Sequence, residues 1–137
     1  MPSVAVDTGP LVALFDKDDA EHAAAKEFLA RTTASLVTNF AVITEALFLL
    51  GHSSRVQTDL LQWVTASLEI DQETTKDLSR VIAIIRKYDD LPADFADATL
   101  VAMCERRGIE AVASLDRHFD VYRTSARKHL KNVFFAH

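Results

Sequence analysis

Short apolar runs alternate with longer stretches of helical period along the chain. Ser3-Val4-Ala5-Val6 has strand length and stops at Asp7-Thr8-Gly9-Pro10, where Gly and Pro mark a turn. From Asp19 to Arg31, Ala20, Ala23, Ala24, Phe28 and Leu29 recur at helical spacing, and Ser35-Leu36-Val37-Thr38 follows as a second strand. Asn39 to Leu50 predicts a strongly apolar, largely buried helix closed by Gly51, a residue that readily takes the left-handed cap conformation. Ser53 to Ser67 and Gln72 to Lys87 predict two amphipathic helices. Leu68-Glu69-Ile70 is a short strand between them, and Asp71 is placed to cap the second. After Pro92 a helix from about Asp94 to Arg107 is closed by Gly108. Ala111 to Leu115 and Asn132 to Phe135 read as the last two strands.

Strands alternating with helices imply a mainly parallel sheet covered on both faces, because parallel strands need crossovers and those crossovers are helices. The expected fold is an α/β class, three-layer α/β/α sandwich. In such sheets the working site lies at the carboxyl ends of the strands, near a switch in strand order. With 137 residues and 49% hydrophobic composition, the chain suits one domain spanning residues 1–137, built on one sizeable core. Cys104 has no cysteine to pair with, and there is no charged-then-apolar leader, so a reducing, cytoplasmic setting fits. The greasiest stretch, Phe40 to Gly51, is interrupted by Thr44 and Glu45 and falls short of the roughly 20 apolar residues that cross a bilayer.

Four acids stand out within that frame. Asp7 ends the first strand and Asp116 follows the strand at Ala111, so both should project over one sheet edge. For either alone, capping of the next helix or a turn is the slightly better account. Glu45 is the lone charge in an otherwise apolar helix and lies too deep in it to be a cap. Burying an unpaired carboxylate costs several kcal/mol, so Glu45 must be paired, neutral, exposed on a narrow edge or bound to a cation. Asp97 repeats the pattern. With Asp94 as N-cap, however, it falls at the third helical position, where exposed amides and the helix dipole favour an acid. Asp94 itself is most simply that cap, and a reserve candidate for the site.

Convergent carboxylates without Cys or His suit a hard cation such as Mg²⁺. Zinc is disfavoured: His22, His52, His118, His129 and His137 include no pair spaced for a helical metal site, and Cys104 is expected to pack in the core. The chain has no phosphate loop of the G-x-x-x-x-G-K-[ST] type and no G-x-S-x-G elbow. Fifteen Lys and Arg against twenty Asp and Glu give a net charge of −5, so bulk attraction to nucleic acid is absent. A metal-dependent nuclease is still compatible with that charge, because bound cations reverse the local potential. A receiver-type phosphoryl-transfer domain also places Asp after its first strand, but it wants paired acids there and a later strand-end lysine.

The order and spacing of these segments resemble the PIN-domain family, and within it the short VapC-type toxins. The resemblance covers nearly the whole chain. It rests on Val4-Ala5-Val6-Asp7-Thr8 with Leu11 to Phe15, on Asp19 and His22, and on Thr38-Asn39 leading to Thr44-Glu45. It continues in Asp94 to Ala102 and in Ser114-Leu115-Asp116 through Arg123. It implies an endoribonuclease whose acidic cluster binds one or two Mg²⁺ or Mn²⁺ ions. It also implies restraint by a cognate antitoxin protein and assembly as a homodimer. Asp7, Glu45 and Asp97 match the family's three principal acids and Asp116 its more variable fourth, with Asp120 close enough to leave that fourth assignment open. Thr8 and Ser114 match small hydroxyl positions that support the site. Arg117, Arg123, Arg127 and Lys128 are candidates to guide the RNA backbone, with solvated surface charge as the plainer role for each. The competing reading is a PIN-like module that captures RNA or protein without cutting.

Overall fold

In the computed structural model, which describes residues 2–90, 94–116 and 130–135, the first strand β1 (Ser3–Val6) lies in the middle of a five-stranded sheet. The other strands are β2 (Ser35–Asn39), β3 (Glu69–Asp71), β4 (Ala111–Ala113) and β5 (Lys131–Asn132), in spatial order β3-β2-β1-β4-β5 with every neighbouring pair parallel. The helices are α1 (Thr8–Phe15), α2 (His22–Arg31), α3 (Phe40–Leu49), α4 (Ser54–Ser67), α5 (Leu78–Lys87) and α6 (Phe95–Arg107). Strand side chains alternate between faces. Ala5, Val37 and Val112 therefore share one face with Ile43, Val81 and Leu100, while Val4 and Ala113 share the other with Phe28 and Phe134. The chain is the expected three-layer α/β/α sandwich. Its order reverses at β1, which turns one way to β2 and the other to β4. The carboxyl ends of β1 and β4 therefore flank a crevice.

Several elements differ from the sequence-based expectation. The Asp7 to Pro10 turn is instead the start of α1: Gly9 and Pro10 occupy its first turn, where a missing amide proton removes no helical hydrogen bond. Gly9 lets Leu115 pack closely there, since a Cβ at this position would stand 3.0 Å from the Leu115 side chain. The helix expected from Asp19 begins at His22. The segment expected from Gln72 is a 3₁₀ turn (Thr74–Asp77) leading into α5. Both C-terminal strands are shorter than expected. Gly51 is not left-handed, whereas Gly108 is, at φ 68° and ψ 27°, and its amide reaches the Cys104 and Glu105 carbonyls. Helix α3 is not largely buried: Val42, Ile43 and Ala46 face the core, but Phe40 is 61% and Phe48 81% exposed. Cys104 is buried as expected, and burial pushes its thiol up to about 12.

Asp71 caps no helix. It ends β3 and takes Arg106 Nη2 at 2.6 Å and Arg107 Nη1 at 3.0 Å, and these guanidinium groups hold its carboxyl below the usual range despite burial. Arg106 also donates to both oxygens of the buried Asp77, at 2.8 and 3.1 Å. Removing one member of a partly buried network strands the others. Arg106→Ala should therefore cost about 2 kcal/mol, since Arg107 retains Asp71 while Asp77 loses both bonds. Urea unfolding with an unchanged m-value checks this, and a shift below about 0.5 kcal/mol would mean the network is solvated surface charge.

Candidate active site

The crevice at the β1/β4 switch opens into a cleft of about 470 Å³ lined by Asp7, Glu45, Asp94, Asp97, Asp116 and Asp19, with Val12, Leu49 and Leu115 as its apolar walls. All four sequence-predicted acids and the reserve Asp94 lie there. Asp120, Arg117, Arg123, Arg127 and Lys128 fall outside the described residues.

The four predicted acids come from four different parts of the fold, and Asp94 shares the head of α6 with Asp97. Asp7 occupies the N-cap position of α1, yet its side chain accepts no capping hydrogen bond, so the simple capping account fails for it. Its Oδ2 instead accepts the Ser114 hydroxyl at 2.7 Å, from a residue 107 positions away at the end of β4. Its Oδ1 is buried and has no hydrogen-bond partner. Burial, with the nearby charges of Asp116 and Asp94, pushes the Asp7 carboxyl up to about 6 against the opposing Ser114 hydroxyl.

Glu45 projects from α3 toward the start of α1, where the Thr8 hydroxyl donates to Oε2 at 2.7 Å. Partial burial, followed by a hydrogen-bonded contact with the Asp94 carboxyl, pushes it up to about 6. Asn39 sets the start of that helix: its Oδ1 accepts the Val42 amide at 3.0 Å, and its Nδ2 reaches Thr99 of α6 at 3.3 Å. At the head of α6, Asp94 Oδ1 accepts the Asp97 amide at 2.8 Å, so Asp94 is the N-cap and also a cleft acid. Asp97 is 6% exposed. Burial, then the charges of Asp7, Asp94 and Asp116 and a carboxyl–carboxyl hydrogen bond to Asp116, push it up to about 9. The Asp116 amide donates to the Ser114 hydroxyl oxygen at 2.8 Å.

Asp19, whose Oδ1 accepts the Glu21 amide at 2.8 Å, is the cleft acid that sequence reasoning did not assign to the site. A turn-forming Asp before a helix carries no local mark of it. His22 ties α2 to α1 by donating from Nδ1 to the Ala13 carbonyl at 2.7 Å.

Carboxyls crowded together share a proton or a cation. Among the described residues no group of three or more such side chains stands ready to hold a metal ion; as placed, Glu45 pairs with Asp94 and Asp97 with Asp116. The donor set nonetheless fits a hard divalent ion: every polar terminus is a carboxylate or hydroxyl oxygen, and the buried Asp7 Oδ1 lacks any partner.

The profile of the PIN domain family matches residues 4–124. The chain belongs to the PIN domain family. A PIN relative in Mycobacterium tuberculosis, ribonuclease VapC26, is 27% identical over 122 residues, covering 86% of this chain and 90% of that protein. Two solved structures share the fold. The Mycobacterium tuberculosis VapC20 structure, described as a sarcin-ricin loop cleaving toxin, superposes with a TM-score of 0.80 at 23% identity, covering 86% of this PIN chain and 93% of that one. VapBC2 from Rickettsia felis, bound to a DNA fragment from its promoter, gives 0.64 at 14% identity, with 95% and 98% covered. Among the described residues no helix is long and apolar enough to cross a membrane.

Proposed function

We propose that this single-domain PIN protein is an endoribonuclease that depends on Mg²⁺ or Mn²⁺ and acts as the toxin of a toxin–antitoxin pair. The observation that carries this reading is the convergence of Asp7, Glu45, Asp97 and Asp116 in one cleft, with a buried, unpartnered oxygen on Asp7. The similarity to ribonuclease VapC26 supports RNA as the substrate.

Asp7, Glu45, Asp97 and Asp116 would hold the ion, with Asp94 beside them. A bound divalent ion supplies a water of lowered pKa and offsets charge on the phosphate under attack. The rest falls to the chain's own groups. Thr8 orients Glu45 and Ser114 orients Asp7 by direct hydrogen bonds. Val12, Leu49 and Leu115 form the apolar walls beside which an RNA phosphodiester would sit.

Two protein partners complete the proposal. The first is an antitoxin protein, and the VapBC2 complex from Rickettsia felis supports a partner of this kind. A second copy of the chain would cover the exposed stripe Leu78, Ile82 and Ile85, spaced along one face of α5.

The test is cleavage of a mixed structured RNA pool by purified, partner-free protein with Mg²⁺ or Mn²⁺, beside the same reaction in EDTA. Cutting that disappears in EDTA supports the nuclease. RNA retained without cutting in both reactions would replace it with the non-cleaving binding module.

A further inference from the structure

Ser114 is the hydroxyl between two of the acids, donating to Asp7 and accepting the Asp116 amide, and it sits one residue past the end of β4. Ser114 is fully buried, so its own amide and carbonyl need partners where the β4–β5 ladder has ended. One side chain supplies both. Asn132, the last residue of β5, accepts the Ser114 amide on Oδ1 at 3.2 Å and donates Nδ2 to the Ser114 carbonyl at 2.9 Å. The same Oδ1 accepts the Phe134 amide at 3.1 Å. Two amides facing one carboxamide atom and a carbonyl facing the other fix which is oxygen and which nitrogen. The side chain thereby imitates one further rung of the ladder. Asp would lack the donor, and Ser or Ala could not span the gap.

We propose that Asn132, outside the acidic cleft and from the last strand of the sheet, is a positioning residue for the site. Its carboxamide clamps the Ser114 backbone, and the Ser114 hydroxyl, so placed, orients Asp7 and the Asp116 backbone. Asn132 directs its side-chain hydrogen bonds to Ser114 and Phe134. Its influence on the cleft passes through Ser114, and this rests on the metal-dependent reading above.

A double-mutant cycle on RNA-free protein tests this route, with Mn²⁺ affinity measured by calorimetric or EPR titration for wild type, Asn132→Ala, Ser114→Ala and the double variant. Outer partners of metal ligands typically change affinity about 10- to 100-fold. Each single variant is expected to bind Mn²⁺ about tenfold more weakly, and the double variant no more than about twofold more weakly than Ser114→Ala. Unchanged affinity in Asn132→Ala would make Asn132 a structural residue only, and losses that multiply in the double variant would mean that it acts by another route. Either result overturns the proposal while leaving the nuclease reading in place. A wild-type protein that binds no Mn²⁺ overturns both.

Discussion

Asp97→Asn should lower metal-dependent RNA cleavage by at least about a hundredfold, more than is typical for an outer-shell change, while raising the unfolding temperature of the metal-free protein. The two effects share one cause. Asp97 is buried among Asp7, Asp94 and Asp116, which raises its carboxyl to about 9, so holding it ionised near neutrality works against folding. Asparagine keeps the shape and is neutral at every pH, so it removes the cost of taking up a proton that folding near neutrality imposes on this carboxyl. A net gain of about 1 kcal/mol corresponds to roughly 3–5 °C in a chain of this size. RNA cleavage and thermal melts in EDTA on the same preparations check both halves. A variant that melts lower than wild type would make Asp97 chiefly a helix-stabilising acid, and unchanged cleavage would move the chemistry elsewhere.

The second large effect is on stability as pH and metal change. Asp7 and Glu45 are raised to about 6 and Asp97 to about 9, all above their unfolded values near 4. A carboxyl raised in the folded state contributes stability that is fully present below the unfolded pKa and lost as pH rises through the folded one. The metal-free protein should therefore lose stability between about pH 4.5 and 9, with Asp97 governing the upper part of that window. A divalent cation favours the ionised carboxyls and reverses the trend. At a hundred times its dissociation constant it adds about 2.7 kcal/mol. Melting curves from pH 5 to 9, in EDTA and in excess Mg²⁺ or Mn²⁺, should diverge as pH rises. Parallel curves, with no metal-induced gain at any pH, would remove the metal from the proposed mechanism. Asp97→Asn should flatten the alkaline half of the EDTA curve.

The acids were legible in the sequence where the signal is local and one-dimensional. An acid at the end of an apolar run must emerge at the sheet edge, which placed Asp7 and Asp116. A lone charge in an apolar helix must find a special environment, which placed Glu45. Gly108 closing α6 was legible because few other residues take its backbone angles. Elsewhere the same local signal served two structures. Gly9-Pro10 reads as a turn, yet fits the first turn of a helix equally well. Asp71 stands where a cap is expected, and distant Arg106 and Arg107 outcompeted that role. Phe40, Phe48 and Leu49 read as core by hydropathy, but hydropathy does not distinguish a core from an uncovered surface. Asn132 gave no signal, because its role depends entirely on a contact with a residue 18 positions earlier.

The sheet's strand order also bears on how the protein is made. The central strand leaves the ribosome well before its neighbour on one side, β4, which begins at Ala111. Such long-range pairing forms late, after the chain between has been synthesised. The hydroxyl that orients Asp7 comes from Ser114, and the clamp on Ser114 comes from Asn132. An unfinished chain can pair β1 with β2, but it cannot assemble the acidic cleft. The cleft is therefore assembled only once the chain has been synthesised through Asn132, and shorter nascent chains lack it.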